Sequence, residues 1–218
     1  MRSPSVVPRE DLQRVVDAQA RFLSAIRSLH DEDMGHATNL PGWTVGHVLT
    51  HVARNADSHW RRSEAAIAGQ MADQYPGGVD RRSGEIEQGA GRTARQSVED
   101  VRLSAETLQD SWEQVPEEAW GNITRDLSGR ERPLYELPDR RWMELEIHLV
   151  DLDIGMTHRE WSDDFVTVWH PRMRAGVASR LSPGVSVPDT GELDQRDELA
   201  WLFGRIDDDA LPKLGPWS

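Results

Sequence analysis

Apolar positions recur every three or four residues in four stretches of this chain, and each stretch has a boundary signal beside it. Leu12, Val15, Val16, Phe22, Leu23, Ile26 and Leu29 follow Pro8, a residue suited to a first helical turn, so the spacing predicts a helix over 8–30. Asn39-Leu40-Pro41-Gly42 is a turn sequence, after which Thr44 can cap a second helix running to about Gln70, with Val45, Val48, Leu49, Val52 and Ala56 on its inner stripe. Tyr75-Pro76-Gly77-Gly78 breaks the chain. Val98, Val101, Ala105, Leu108, Trp112 and Val115 then make the seam of a third helix that ends before Pro116. Trp142, Leu145, Leu149, Leu152 and Met156 give a fourth helix from about Asp139, ending near Gly155.

Between the third and fourth helices, Ile123 to Leu127 and Glu131 to Leu134 flank Ser128-Gly129, the pattern of a short hairpin or a loop. Four antiparallel helices make a bundle, so the fold class is mainly α. Beyond the bundle, a helical stretch is expected around Arg172 to Leu181 and another over Gln195 to Phe203, with a Pro/Gly-rich link at Ser182 to Gly191. The sequence therefore divides into a bundle over 1–157 and a short C-terminal segment over 158–218. It holds no internal repeat and no low-complexity tract.

Charge and composition narrow the partners. With 38 acidic against 25 basic residues, the formal charge of -13 repels phosphate backbones and anionic membrane faces, so no nucleic-acid partner is expected. Arg61-Arg62, Arg81-Arg82 and Arg140-Arg141 are local basic pairs, each more often a solvated face than an anion site. No apolar run approaches the ~18 residues that span a bilayer, and no secretory signal pattern follows Met1, so neither a membrane nor an export route is expected and the protein is placed in the cytoplasm. Cysteine is absent, which excludes disulfides, thiolate ligands and a catalytic thiol supplied by the chain.

The candidate chemistry lies on the fourth helix. Glu144 and His148 are four residues apart and so share one helix face, next to the Leu145, Leu149 and Leu152 stripe. An unpaired carboxylate pointing inward is costly, so a partner for Glu144 is required. His51, between Val48 and Val52 on the inner side of the second helix, can complete a two-histidine, one-carboxylate set. Such a set leaves a coordination position open, as catalytic sites do. The simpler reading is a chance Glu/His pair and a hydrogen-bonded core histidine. Asp151, three residues after His148, can accept the ring N–H that a metal leaves free, or be a plain exposed carboxylate. His47 and His51 form a rival pair, with His47 in the first helical turn and expected to be exposed. Glu146 is expected on the solvated side. Trp43, Trp60, Trp142 and Trp201 can line the pocket, with core packing the expected role of each.

Three motifs carry a family resemblance: Leu40-Pro41-Gly42-Trp43-Thr44-Val45 with His51-Val52-Ala53-Arg54-Asn55-Ala56, then Arg141-Trp142-Met143-Glu144-Leu145-Glu146-Ile147-His148-Leu149-Val150-Asp151-Leu152, then Leu199-Ala200-Trp201-Leu202-Phe203-Gly204-Arg205. In this order and spacing the chain resembles the mycothiol-dependent maleylpyruvate isomerases, members of the DinB-like four-helix bundle superfamily. The resemblance implies a divalent metal, usually zinc, on the positions of His51, Glu144 and His148, and a catalytically important arginine at Arg205. Arg82, close to Glu85-Ile86, resembles a further family arginine near the pocket. The family usually appends a small α/β domain, but few residues separate Leu181 from the Leu199 helix, so this C-terminal segment looks shortened and some strands are expected to be missing.

What the resemblance implies is an isomerase. Mycothiol would supply the nucleophile as a cosubstrate, its sulfur deprotonated by the metal, and add reversibly to a cis-enoyl diacid such as maleylpyruvate. Rotation and elimination would give the trans product, fumarylpyruvate, with Arg205 and Arg82 pairing with substrate carboxylates. Two other readings stay open: a mycothiol S-transferase that keeps the adduct, and a bundle that binds metal and thiol without turnover.

Overall fold

A computed structural model describes residues 7–191 and 193–216. Their contacts form two compact units that divide between Leu152 and Asp153. The first unit is built on α1 (Arg9–Ile26), α2 (Val45–Ile67), α3 (Gly78–Ala90), α4 (Ala94–Glu113) and α5 (Leu137–Asp151), with a two-stranded antiparallel hairpin of β1 (Ile123–Arg125) and β2 (Glu131–Pro133) before α5. The second unit holds α6 (Asp163–Ala175) and α7 (Gln195–Phe203).

Four helices of the first unit form the bundle. α1 lies against α5, while α2 lies against both α4 and α5; the seam between α1 and α4 is the most open. Phe22 and Ile26 of α1, Val48, Leu49 and Val52 of α2, Val101 and Leu108 of α4, and Trp142, Leu145 and Leu149 of α5 are all buried. These are the periodic positions, and each large apolar side chain so buried contributes about 1.5–3 kcal/mol. Local signals set the ends. Thr93 and Gln96 form a reciprocal capping box at the start of α4, and Pro138 occupies the first turn of α5. The turn before α2 is tied to the end of α5, since Asn39 donates its backbone N–H to the Asp151 carbonyl and its side-chain amide to the Val150 carbonyl. Two carbonyls left over at the helix end are thereby satisfied.

The structure departs from the sequence pattern in identifiable places. α3 carries little apolar periodicity beyond Ile86, because only a narrow face of it touches the bundle, so it is not among the elements expected from the pattern. That contact is close: a Cβ added to Gly46 of α2 would lie 2.2 Å from the Ala90 carbonyl oxygen, and one added to Gly89 would lie 2.4 Å from the Thr50 methyl. α5 ends at Asp151, earlier than its apolar stripe suggests, because Asp153 takes a left-handed conformation (φ 54°) and Gly155 follows at φ 95°. The first C-terminal helix begins at Asp163, capped by Ser162, and ends at Ala175, although the pattern placed it over 172–181.

In the second unit, Trp161, Phe165, Trp169 and Phe203 form an aromatic cluster, and Val177, Trp201 and Leu202 pack with Met173, Ile206, Leu211 and Leu214. α7 spans the residues expected from sequence. Gly204 stops it at φ 70°, with Gly204 N–H on the Trp201 carbonyl and Arg205 N–H on the Ala200 carbonyl, both at 2.8 Å, a Schellman ending. No strand occurs among its described residues.

Gly46→Ala should test the α2–α3 approach. Helix propensity alone would make it stabilising by up to about 1 kcal/mol; the clash with backbone should instead make it destabilising by about 1–3 kcal/mol. Urea unfolding of the two proteins gives the sign, and a gain in stability would contradict the packing described.

Candidate metal centre

Two imidazoles, one from each of two helices, converge on one carboxylate oxygen. Glu144 Oε2 lies 3.1 Å from His51 Nε2 and 3.2 Å from His148 Nε2. The two imidazole rings stand edge to face with centroids 4.6 Å apart, and one ligand atom from each of the three residues falls within 4.8 Å of the others. α5 supplies Glu144 and His148 from successive turns, and the packing of α2 on α5 brings in His51. Around a tetrahedral ion held at about 2.0–2.1 Å, neighbouring ligand atoms lie roughly 3.4 Å apart. The two nitrogen–oxygen separations are already close to that value, so the donor set fits a divalent ion without rearrangement of helices.

The groups around this cluster fix its protons. Asp151 is wholly buried and its Oδ2 lies 2.8 Å from His148 Nδ1. A carboxylate only accepts here, so Nδ1 carries a proton and Nε2 is the atom turned toward Glu144. On the other side, Arg82 Nη2 lies 3.1 Å from His51 Nδ1. A guanidinium only donates, so His51 Nδ1 accepts and its Nε2–H points at Glu144. Burial, against the hydrogen bond to Glu144, pushes His51 down to about 4 and keeps it neutral. Burial also acts against the charged form of His148, but the hydrogen bonds to Asp151 and Glu144 outweigh it and hold this imidazole at about 9. For Glu144, burial would raise the carboxyl, yet the hydrogen bonds from His148 and His51 hold it well below its ordinary value.

Residues expected elsewhere also meet here. Trp43 is half-buried with its ring 5.5 Å from that of His51, so it walls the cluster rather than filling the core. Trp60 is 37% exposed and packs no core, whereas Trp142 and Trp201 are buried. Tyr75 is buried, and the Arg82 guanidinium sits 5.7 Å over its ring, which braces that arginine beside the cluster. Nothing in the sequence marked Tyr75 except its place in a breaker. His47 is tied into the start of α2, where its Nδ1 accepts from Thr44 N–H at 3.1 Å, and its Nε2 faces Glu87, so it is not part of the set.

Three solvated-face expectations are corrected. Glu146 is 2% exposed and is paired with Arg21 and the Trp142 indole N–H, because α5 is covered on that side by α1. Arg62 and Arg141 are buried too. Arg141 donates to the Val52 carbonyl, Asn55 Oδ1 and Gln19 Oε1, which binds three helices together. Arg205 lies in the second unit, where its guanidinium donates to the Phe203 carbonyl at 2.7 Å.

The class of molecule is now defined: a mainly helical bundle with an inward His/Glu/His cluster able to hold one divalent ion. Residues 15–153 match the family described as the mycothiol maleylpyruvate isomerase N-terminal domain, and the chain belongs to that family. Among solved structures, the crystal structure of the mycothiol-dependent maleylpyruvate isomerase is similar over 96% of this chain and 97% of that one, with a TM-score of 0.86 and 19% identity; a histidine-to-alanine mutant of that enzyme matches equally well. At that identity the likeness establishes the fold. No curated protein matches the chain at the sequence level. No helix among the described residues is long and apolar enough to cross a membrane.

Two outcomes follow from the proton pattern. An ion on His148 Nε2 must displace the proton held there, and because that pKa is raised to about 9, the displacement is required throughout the neutral range. Zinc affinity should therefore rise about tenfold per pH unit between pH 6 and 8, with about one proton released per ion, measured by calorimetry in buffers of different ionisation heat. A pH-independent affinity would contradict it. Secondly, an ion on His51 Nε2 forces the proton onto Nδ1, where it faces the Arg82 donor. Arg82→Ala should leave zinc affinity unchanged or raise it by up to about tenfold, since it removes a competitor; a large loss would show that Arg82 instead supports the site.

Proposed function

We propose that this chain is a metal- and mycothiol-dependent isomerase, converting a cis-enoyl diacid of the maleylpyruvate type to its trans isomer by reversible thiol addition. The observation that carries the reading is the His51–Glu144–His148 cluster on the inner faces of α2 and α5, with Arg82 beside it. Family membership and the shared fold support it. The chain has no cysteine, so the nucleophilic sulfur comes from a cosubstrate. A divalent ion, zinc by the chemistry of two imidazoles and one carboxylate, would supply the positive charge that favours thiolate over thiol at neutral pH.

The chain's own residues have separate tasks in this scheme. Asp151 holds the Nδ1 proton of His148 and so presents Nε2 as a ligand atom. Glu144 supplies the single negative charge between the two imidazoles. Arg82 is released from His51 when the Nδ1 proton is in place and becomes a donor for a substrate carboxylate. On the substrate, the thiolate sulfur bonds to one alkene carbon and the π electrons move onto the conjugated carbonyl oxygen. The former double bond then rotates as a single bond. The carbon–sulfur bond breaks, the electrons return, and thiolate leaves with the trans alkene formed. Arg205 is proposed as the catalytic arginine, by its Gly-Arg motif.

The test is isomerisation of maleylpyruvate with and without mycothiol. Turnover should require the thiol, and Arg205→Ala should lower kcat/KM about a hundredfold or more while zinc content stays that of the parent. Metal binding without isomerisation, in the presence of an electrophile that accumulates as its mycothiol adduct, would replace the isomerase with a mycothiol S-transferase.

A further inference from the structure

The open seam between α1 and α4 is a groove of about 230 Å³. Its walls are apolar, with Val15, Ala105, Leu108 and Trp112 buried along it and Val16 at its exposed mouth, and its floor is formed by Gln19 and Arg141. Those two floor residues are more than nine-tenths buried and are joined by one hydrogen bond, Arg141 Nη2 to Gln19 Oε1 at 3.1 Å. Since a guanidinium only donates, the Gln19 oxygen must face it, which leaves the amide nitrogen unused by Arg141. Gln19 Nε2 and Arg141 Nε, on either side of that bond, are both buried without a hydrogen-bond acceptor.

Every oxygen that Arg141 does reach is neutral: one carbonyl and two amide oxygens. The floor of an apolar groove thus carries a buried cation and two unused donor nitrogens, and buried donors of this kind are normally satisfied. The complementary group accepts only and bears a negative charge, which describes a carboxylate. The volume is below the roughly 300–1,000 Å³ of pockets that take drug-sized ligands, which restricts the apolar part to a single ring or short chain. At the mouth, Arg9 favours an anion and Glu113 opposes it. We infer that the α1–α4 groove is a second ligand site, for a small aryl or alkyl monocarboxylate, seated with its carboxylate on Arg141 and Gln19 and its apolar part between Val15, Leu108 and Trp112.

4-Phenylbutyrate is the probe, with the neutral 4-phenylbutanol as its control. In titration calorimetry and Trp fluorescence the acid should bind once per chain and about tenfold or more tighter than the alcohol. Binding should survive in His51→Ala, which separates this groove from the His/Glu cluster. It should be lost in Ala105→Trp, which fills the groove, and in Val16→Trp, which closes its mouth at an already exposed position and so keeps the test valid if the core variant does not fold. Equal binding of the alcohol, loss of binding in His51→Ala, or no binding would overturn the proposal. So would light scattering that shows a dimer broken by Val16→Trp, since a second copy would then cover the groove.

Discussion

The Glu144 carboxylate is the constraint around which the first unit is arranged. A carboxylate turned into a helical bundle is tolerated only if donors reach it, and here one oxygen accepts from His51 and His148 at 3.1 and 3.2 Å. Each of those donors is in turn held by a partner of opposite character, an acceptor at His148 (Asp151) and a donor at His51 (Arg82). The asymmetry makes one imidazole cationic and the other neutral. The result is a cluster whose total charge is balanced by a proton held at the atom that an ion would take.

Positioning of that cluster reaches well beyond its members. α5 is held at its C-terminal end by Asn39 and in its middle by Arg141, which spans to α2 and α1. α3 brings Arg82 to His51 only because Gly46 and Gly89 let its backbone approach α2. The Arg141 network serves the bundle as a structural staple, and it also leaves Gln19 Nε2 and Arg141 Nε unpartnered in residues that line the α1–α4 groove.

The four bundle helices were legible because each buries one broad apolar face, and the turns between them carry Pro, Gly and cap residues. The Glu144/His148 pair was legible from its spacing, and His51 from its place on an apolar stripe. α3 was not, because a helix whose buried residues are Ile86 and Gly89 has almost no period to read. The burial of Glu146, Arg62 and Arg141 has a related reason: charge is a good guide to exposure only where no complementary partner exists, and here Glu146 and Arg141 find Arg21 and Gln19 on α1, while Arg62 turns back onto the Ser58 carbonyl and His59 of its own helix. Trp43 and Tyr75 shape the cluster through tertiary contacts that no local pattern announces.

The most direct measurement of the central claim is bound metal, quantified by elemental analysis in the parent protein and in His51→Ala and Glu144→Ala. About one divalent ion per parent chain, lost from both variants while their helical circular dichroism is kept, is the expected result. A parent that binds no divalent ion when zinc is supplied, or variants that keep it in full, would contradict the assignment of His51, Glu144 and His148 as a metal centre.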